Sequence, residues 1–346
     1  MIITKTPLRI SFFGGGTDYP VWYEKNGGSV LSTTINKYSY INTRYLPQFF
    51  GHKHQVIYKV REEVKDTSQI KHPSVRECLN FLNVDKGIEM VYVADLPAMS
   101  GIGSSSAFTV GFLNSLYALK GQTVSKKQLA LDAIHVEQNL IQESVGSQDQ
   151  VAAAFGGLNR IDFGPVARNS GLAGFPDSGD EKITITPITM PQSRLHQLQD
   201  HLMLFFTGFS RSASQIAGEQ IKQTPLKHEE LTLMHKMVDR AVAILSDDVA
   251  PLEEFGKLLD ESWKIKRNLT HLISTNQIDA IYERGIKAGA IGGKLCGAGA
   301  GGFMIFFVPL EKQNQVKEAL KDLLHVPFKF ESQGSQVIFN SPQDFV

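Results

Sequence analysis

Cysteine is nearly absent from this 346-residue chain: there are two, Cys78 and Cys296, far apart. That excludes a disulfide framework and a Cys-rich zinc site, and it fits a reducing cytosol. Net charge is absent too, with Lys plus Arg and Asp plus Glu balanced at 35 each. A balanced chain carries no electrostatic footprint for nucleic acid, so no nucleic-acid partner is expected. No apolar run approaches the length needed to cross a bilayer, so no membrane partner is expected either. Met1 to Ile10 carries charge within it and goes straight into a strand pattern, unlike a signal peptide. The expected location is the cytoplasm. What the chain does have is 42% hydrophobic residues, enough for a large core, and a length that suits two domains rather than one. It contains no internal repeat.

The glycines carry the chemistry. Pro97-Ala98-Met99-Ser100-Gly101-Ile102-Gly103-Ser104-Ser105-Ser106-Ala107 lies between an alternating run, residues 88–95, and an apolar-periodic run, Phe108 to Leu119. The spacing predicts a strand, a Gly- and Ser-rich loop, and a helix. Such a loop aims unpaired backbone N–H groups and the positive end of the helix dipole at one point, which suits an anion. The alternative is a plain strand-to-helix turn capped by Ser. It is no Walker A loop, since no Gly-Lys-Ser/Thr follows. A second run, Gly292 to Gly302, contains Gly-x-Gly-x-x-Gly at Gly297, Gly299 and Gly302, but a strand pattern, 303–308, follows where a dinucleotide fold needs a helix.

Other candidates are strung along the chain. Residues 2–13 predict a strand carrying Arg9. Gly14 to Pro20 is a loop of unusual backbone angles, in which Asp18 is either a turn-forming residue or a carboxylate for substrate hydroxyls. Residues 28–46 predict further strands, 50–70 a solvated polar loop with His52, Lys53 and His54, and 73–83 a short helix. Residues 125–145 predict a helix capped by Ser125, with an apolar stripe from Leu129 to Ile141. Glu137 sits one step from Val136 on that stripe. It is a surface residue, or a Mg²⁺ ligand if it reaches the glycine loop. His135-Val136-Glu137 matches a zinc-deaminase His-x-Glu, but the partner Pro-Cys-x-x-Cys is absent. Asp149 precedes an apolar helix and alone reads as a cap. Residues 164–182 predict a long loop and 182–187 a strand, with a domain boundary near 195, giving domains 1–195 and 196–346. After the strand 201–206, Arg211 and Ser212 open a helix: either a second anion site or an exposed Arg with a capping Ser. Helices are predicted at 226–247, 251–270 and 278–288, with Met234 and Met237 in the core, then a helix at 312–324 and strands at 328–339.

These runs together resemble the GHMP small-molecule kinases, the family of galactokinase, homoserine kinase, mevalonate kinase and phosphomevalonate kinase. Residues 97–107 are similar to its second motif, with Ile102 for Leu and Ser106 for Ala, and Lys294 to Gly302 to its third. Thr17-Asp18-Tyr19 matches the galactokinase-like first motif, but Gly15 and Gly16 stand where Glu and His are usual. The Gly-Gly-Gly-Thr-Asp-Tyr-Pro version resembles the sugar-phosphate branch, the heptose 7-phosphate kinases. The three motifs span residues 7 to 302, nearly the whole chain.

The resemblance implies a mixed α/β (α+β) fold of two domains, the first like the second domain of ribosomal protein S5 and the second ferredoxin-like, with ATP and Mg²⁺ between them. It implies phosphoryl transfer to the anomeric hydroxyl of a heptose 7-phosphate, as a step towards a nucleotide-activated heptose for surface polysaccharide. Gly101, Ile102, Gly103, Ser104, Ser105 and Ser106 would hold ATP. Ser105, or Ser106 beside it, and Glu137 would hold Mg²⁺. Asp149 would be the base, with Arg9 beside it. Asp18, Gly16, Thr17 and Gly299 would meet the sugar, and Arg211 and Ser212 its existing phosphate. Two other readings stay open: a kinase of an unphosphorylated sugar such as fucose or galactose, and an inactive sensor of nucleotide and sugar. The oligomeric state is open, a homodimer included.

Overall fold

The computed structural model describes residues 1–164, 183–208 and 213–341. β1 (Ile2–Phe13) is buried continuously from Thr6 on, so both its faces are covered, as a run that is apolar or small but for Arg9 allows. α1 (Pro20–Asn26) starts on a proline, whose missing N–H is an orphan there anyway, and stops at Gly27. β2 (Gly28–Tyr45) is one strand of 18 residues where several were expected. β3 (His54–Ile57) and β4 (Arg61–Val64) form a hairpin inside the stretch expected to be a solvated loop. His54 is buried there, and burial lowers its pKa to about 4, so it is not a cation for phosphate. α2 (Pro73–Phe81) and β5 (Ile88–Ala94) follow as expected.

α3 (Ser104–Leu119) begins four residues before the apolar periodicity does, because its first turn is the serine run itself. α4 (Lys126–His135) is capped by Ser125, whose side chain accepts from the Gln128 amide. A π-helical turn, Val136–Leu140, continues it and turns both Val136 and Glu137 inward. α5 (Gln148–Phe155), β6 (Leu158–Phe163) and β7 (Ile183–Pro187) complete the first half. The long loop expected at 164–182 lies outside the described residues apart from Gly164. Then come α6 (Gln192–Asp200), β8 (Leu202–Phe206), α7 (Ala213–Gln223), α8 (His228–Ser246), α9 (Glu253–Lys266) and α10 (Asn276–Lys287). The chain finishes with β9 (Gly292–Leu295), β10 (Phe303–Phe307), α11 (Gln313–Ala319), β11 (Leu324–His325), β12 (Phe330–Glu331) and β13 (Gln336–Asn340).

Two sheets result among the described residues. In the larger, β2 pairs with β1 along one edge, and with β6, β12 and β5 in succession along the other. The smaller has the order β11-β8-β10-β9. The expected division near residue 195 falls before β8, but it does not hold to the end of the chain: β12 and β13 return to the larger sheet, on β2 and β1. Met234 and Met237 are in the core. α3 packs on β1 closely enough that a Cβ on Gly111, the one glycine of that helix, would sit 2.7 Å from Thr6 Oγ1.

Candidate active site

Two glycine loops meet backbone to backbone. A Cβ on Gly101 would lie 2.3 Å from the Cys296 carbonyl oxygen, and one on Gly297 would lie 2.4 Å from Gly101 Cα. Gly302 is as close to Ser100, whose carbonyl accepts from the Phe303 amide at 3.2 Å. Gly101 and Gly103 also adopt positive φ, +80° and +72°, which other residues seldom do. The third glycine run is therefore a support that the second is moulded against. Gly103 caps α3, and Ser104, Ser105 and Ser106 of its first turn, whose N–H groups have no partner within the helix, line a cleft of about 250 Å³.

Arg9 comes to this loop from β1. Its amide donates to the Ile102 carbonyl at 3.0 Å and its Nη1 to the Gly101 carbonyl at 2.6 Å. Its Nε and Nη2 donate to the two carboxylate oxygens of Asp149 at 2.7 and 2.8 Å, a bidentate pair. Asp149 lies in the first turn of α5, where the helix dipole favours a carboxylate, and its side chain is 25% exposed into the cleft while Arg9's is 5%. Residues far apart in sequence thus place one carboxylate beside the glycine loop.

Asp18 forms the floor. Its carboxylate accepts from the Gly16 amide at 2.9 Å and from Gln148 Nε2 at 2.9 Å. Burial pushes its pKa up, and the charge of Asp149 adds to that, against the Gly16 hydrogen bond. Thr17 is placed otherwise than expected. Its hydroxyl lies within hydrogen-bond reach of the Gly14 and Ser29 carbonyls and accepts from the Ser29 amide at 3.1 Å, so it ties the loop down and does not line the cleft. Gly299 backs onto Ile273, where a Cβ would meet Cα at 2.7 Å, and Gly297 and Ala298 line the cleft in its place. Ile102 is in the core, and only its carbonyl takes part. Arg211 and Ser212 lie outside the described residues.

Glu137 is 1% exposed, behind the serine turn. Ser106 Oγ donates to its Oε2 at 2.8 Å and Gln150 Nε2 donates to the same oxygen, while Oε1 has no partner. Ser106, not Ser105, therefore meets Glu137; Ser105 is exposed and lines the cleft. Burial pushes the Glu137 carboxyl up to about 7, against the hydrogen bonds from Ser106 and Gln150 that favour its ionised form. An orphaned carboxylate oxygen beside a hydroxyl and an anion-binding turn fits Mg²⁺, which takes one or two carboxylates and leaves its other positions to phosphates and water. Among the described residues no group of three or more His, Cys, Asp or Glu could hold a metal unaided.

Lys266 and Gln220 are among the lining residues that nothing in the motifs marks. Lys266, near the end of α9, donates from Nζ to the Gly297 carbonyl at 2.9 Å. Gln220 of α7 is buried with its Nε2 unpartnered. A signal existed for Lys266: it falls in step with Phe255, Leu258, Leu259, Ser262 and Trp263 on the buried stripe of its helix, where a lysine is out of place. A separate hollow of about 390 Å³ over Arg44, Glu89 and Phe339 includes none of the expected site residues.

Residues 63–157 match the N-terminal domain of the GHMP kinases, and residues 248–326 match the C-terminal domain. The chain belongs to the GHMP kinase family. As a GHMP kinase it is a phosphotransferase, of a family that uses ATP as phosphate donor. A D-glycero-alpha-D-manno-heptose 7-phosphate kinase of Campylobacter jejuni is 28% identical to it, over 96% of this chain and 97% of its own. A galactokinase of Pyrococcus furiosus is 22% identical, over 92% of each chain. The fold of this GHMP kinase also matches the crystal structure of a D-glycero-D-manno-heptose 1-phosphate kinase from Bacteroides thetaiotaomicron, with a TM-score of 0.74, 22% identity, and 97% and 98% of the two chains covered. Among the described residues no helix is long and apolar enough to cross a membrane.

Proposed function

We propose that this GHMP kinase transfers the γ-phosphoryl group of ATP to the anomeric hydroxyl of a heptose 7-phosphate in the cytoplasm, giving the 1,7-bisphosphate. The observation that carries the reading is Asp149, held by two hydrogen bonds from Arg9 beside the turn of Gly103. Phosphoryl transfer asks little of a protein beyond positioning and charge neutralisation. Gly101, Gly103 and the first turn of α3 give the triphosphate its N–H donors. Asp149 takes the proton of the acceptor hydroxyl, and Arg9 orients that carboxylate through its two hydrogen bonds and offsets charge on the transferring group. Glu137 and Ser106 would hold Mg²⁺, which neutralises charge on the nucleotide's phosphates when bound. Asp18 accepts from sugar hydroxyls.

The Campylobacter jejuni relative, named for the 7-phosphate and similar over nearly the whole chain, supports that substrate over galactose. So does the sequence of the first glycine loop, which has Gly15 and Gly16 in place of Glu and His. The sugar's own phosphate is assigned to Arg211 and Ser212, immediately before α7, a helix that lines the cleft through Ser214, Ala217 and Gln220. The test is ADP release over a panel of heptose 7-phosphate, heptose 1-phosphate, heptose, fucose and galactose. A kcat/KM highest for the 7-phosphate, and selectively lost in Arg211→Ala, is the expected result. Equal turnover of phosphorylated and plain sugars would reject the reading.

A further inference from the structure

Asp18 and Asp149 account for one wall of the cleft. The other wall comes from α7 and α9, and it holds two side chains that the fold alone does not explain. Lys266 is 6% exposed, and burial lowers its pKa, with Asp18 acting in the opposite sense. An ammonium has three donors, and the structure gives Nζ one acceptor, the Gly297 carbonyl. Gln220 is 3% exposed, and its Nε2 makes no hydrogen bond. A buried polar group without a partner opposes folding, so it points to a partner that arrives with a ligand.

The missing side chains of the first glycine loop show why these groups can enter. A Cβ on Gly15 would stand 3.3 Å from Lys266 Nζ, 3.6 Å from Gln148 Nε2 and 3.7 Å from Ser11 Oγ. A Cβ on Gly16 would stand 2.6 Å from Gln220 Nε2. The two glycines keep open the space into which α9 and α7 extend their polar ends. Ser11 Oγ and Gln148 Oε1 are also buried and unpartnered. Donors from Lys266, Gln220 and Ser11 therefore converge on the same floor as two acceptors, the Asp18 carboxylate and Gln148 Oε1. A sugar hydroxyl is both donor and acceptor, and a pair of neighbouring hydroxyls matches that mixed set.

We propose that Lys266 and Gln220 are acceptor-binding residues, donating to ring hydroxyls of the sugar that Asp18 accepts from, and that Gly15 and Gly16 are glycines to admit them. The subsite is a polyol site shared between the first glycine loop and helices of the second half of the chain. It rests on the kinase reading above and deepens it by naming the groups that select the sugar.

The test is steady-state ADP release by the full-length protein, wild type against Lys266→Met and Gln220→Met, with acceptor and ATP varied in turn. Losing a hydrogen bond from a charged donor should raise the acceptor KM about 10- to 100-fold in Lys266→Met, and losing a neutral one about 3- to 10-fold in Gln220→Met. The KM for ATP should stay within about twofold, which also shows that each variant is folded. A purely structural Lys266, bracing Gly297 against the phosphate loop, predicts the reverse: a raised KM for ATP and an unchanged acceptor KM. That result overturns the proposal. The two readings fail separately. If wild type prefers another sugar, the heptose assignment falls, and the same variants measured with that sugar still decide the subsite. If wild type turns over heptose 7-phosphate and Lys266→Met keeps its acceptor KM, the subsite falls alone. Turnover of no sugar by wild type would overturn both.

Discussion

Replacing Glu137 by Gln should make the protein more stable at neutral pH and unresponsive to magnesium nucleotide. The carboxyl is 1% exposed, and its pKa stands at about 7 against an ordinary 4.5. A carboxyl raised on folding binds its proton more tightly in the folded chain than in the unfolded one. Its contribution is therefore complete below about pH 4.5, falls as pH rises, and is lost once pH passes about 7. A displacement of that size is worth about 3 kcal/mol. The Gln side chain suits the site, since it matches the carboxyl in size and its oxygen can accept from Ser106 and Gln150. Urea unfolding followed through the buried Trp22 and Trp263 checks this. The stability of Glu137→Gln minus that of wild type should be near zero at pH 4.5 and rise to about 3 kcal/mol at pH 8. Other carboxyls are common to both proteins and cancel. Adding Mg²⁺ and ATP at pH 8 should stabilise wild type and leave the variant nearly unmoved. A difference that is flat with pH would refute the buried-carboxyl argument. Equal stabilisation of both proteins by Mg²⁺ and ATP would refute the metal assignment.

Three further outcomes follow from the same geometry. Asp149→Asn should lower kcat by about 10² to 10⁴ with the KM for ATP little changed, measured by ADP release. Gly297→Ala would put a Cβ 2.4 Å from Gly101 Cα at a φ of +76°, so it should weaken ATP use and lower stability by about 1–3 kcal/mol, read from kcat/KM for ATP and urea melts. Gly146→Ala would put a Cβ 1.9 Å from Asp18 Oδ2, so it should raise the KM for the acceptor and spare that for ATP.

The sequence shows much of this and hides some of it for definite reasons. Helices with one apolar stripe, such as α8 and α9, and strands that alternate, such as β5, lie close to where periodicity puts them. The β3–β4 hairpin is hidden because its strands are short and its polar residues outnumber its apolar ones, so no alternation survives. The start of α3 is hidden because glycine and serine mask a first turn whose N–H groups serve the site rather than the helix. Arg9, Asp149, Asp18 and Glu137 are legible through the motifs that carry them. The pairing of Ser106 rather than Ser105 with Glu137 is not, since it depends on which way one helical turn faces. Thr17 and Gly299 share a motif with site residues but hold up backbone, a distinction that adjacency in sequence cannot make. Lys266 is missed because an amphipathic helix draws attention to its stripe and not to the exception within it.

The return of β13 to β1 has a consequence for how the protein is made. β1 leaves the ribosome long before the strand that borders it in the finished sheet, with Ile2 opposite Asn340. Until β13 has been made, that border exposes unpaired backbone to any other extended chain. A ribosome stalled before β13, or a deletion of that strand, should therefore yield a chain prone to aggregation even though every residue that lines the cleft has already been translated.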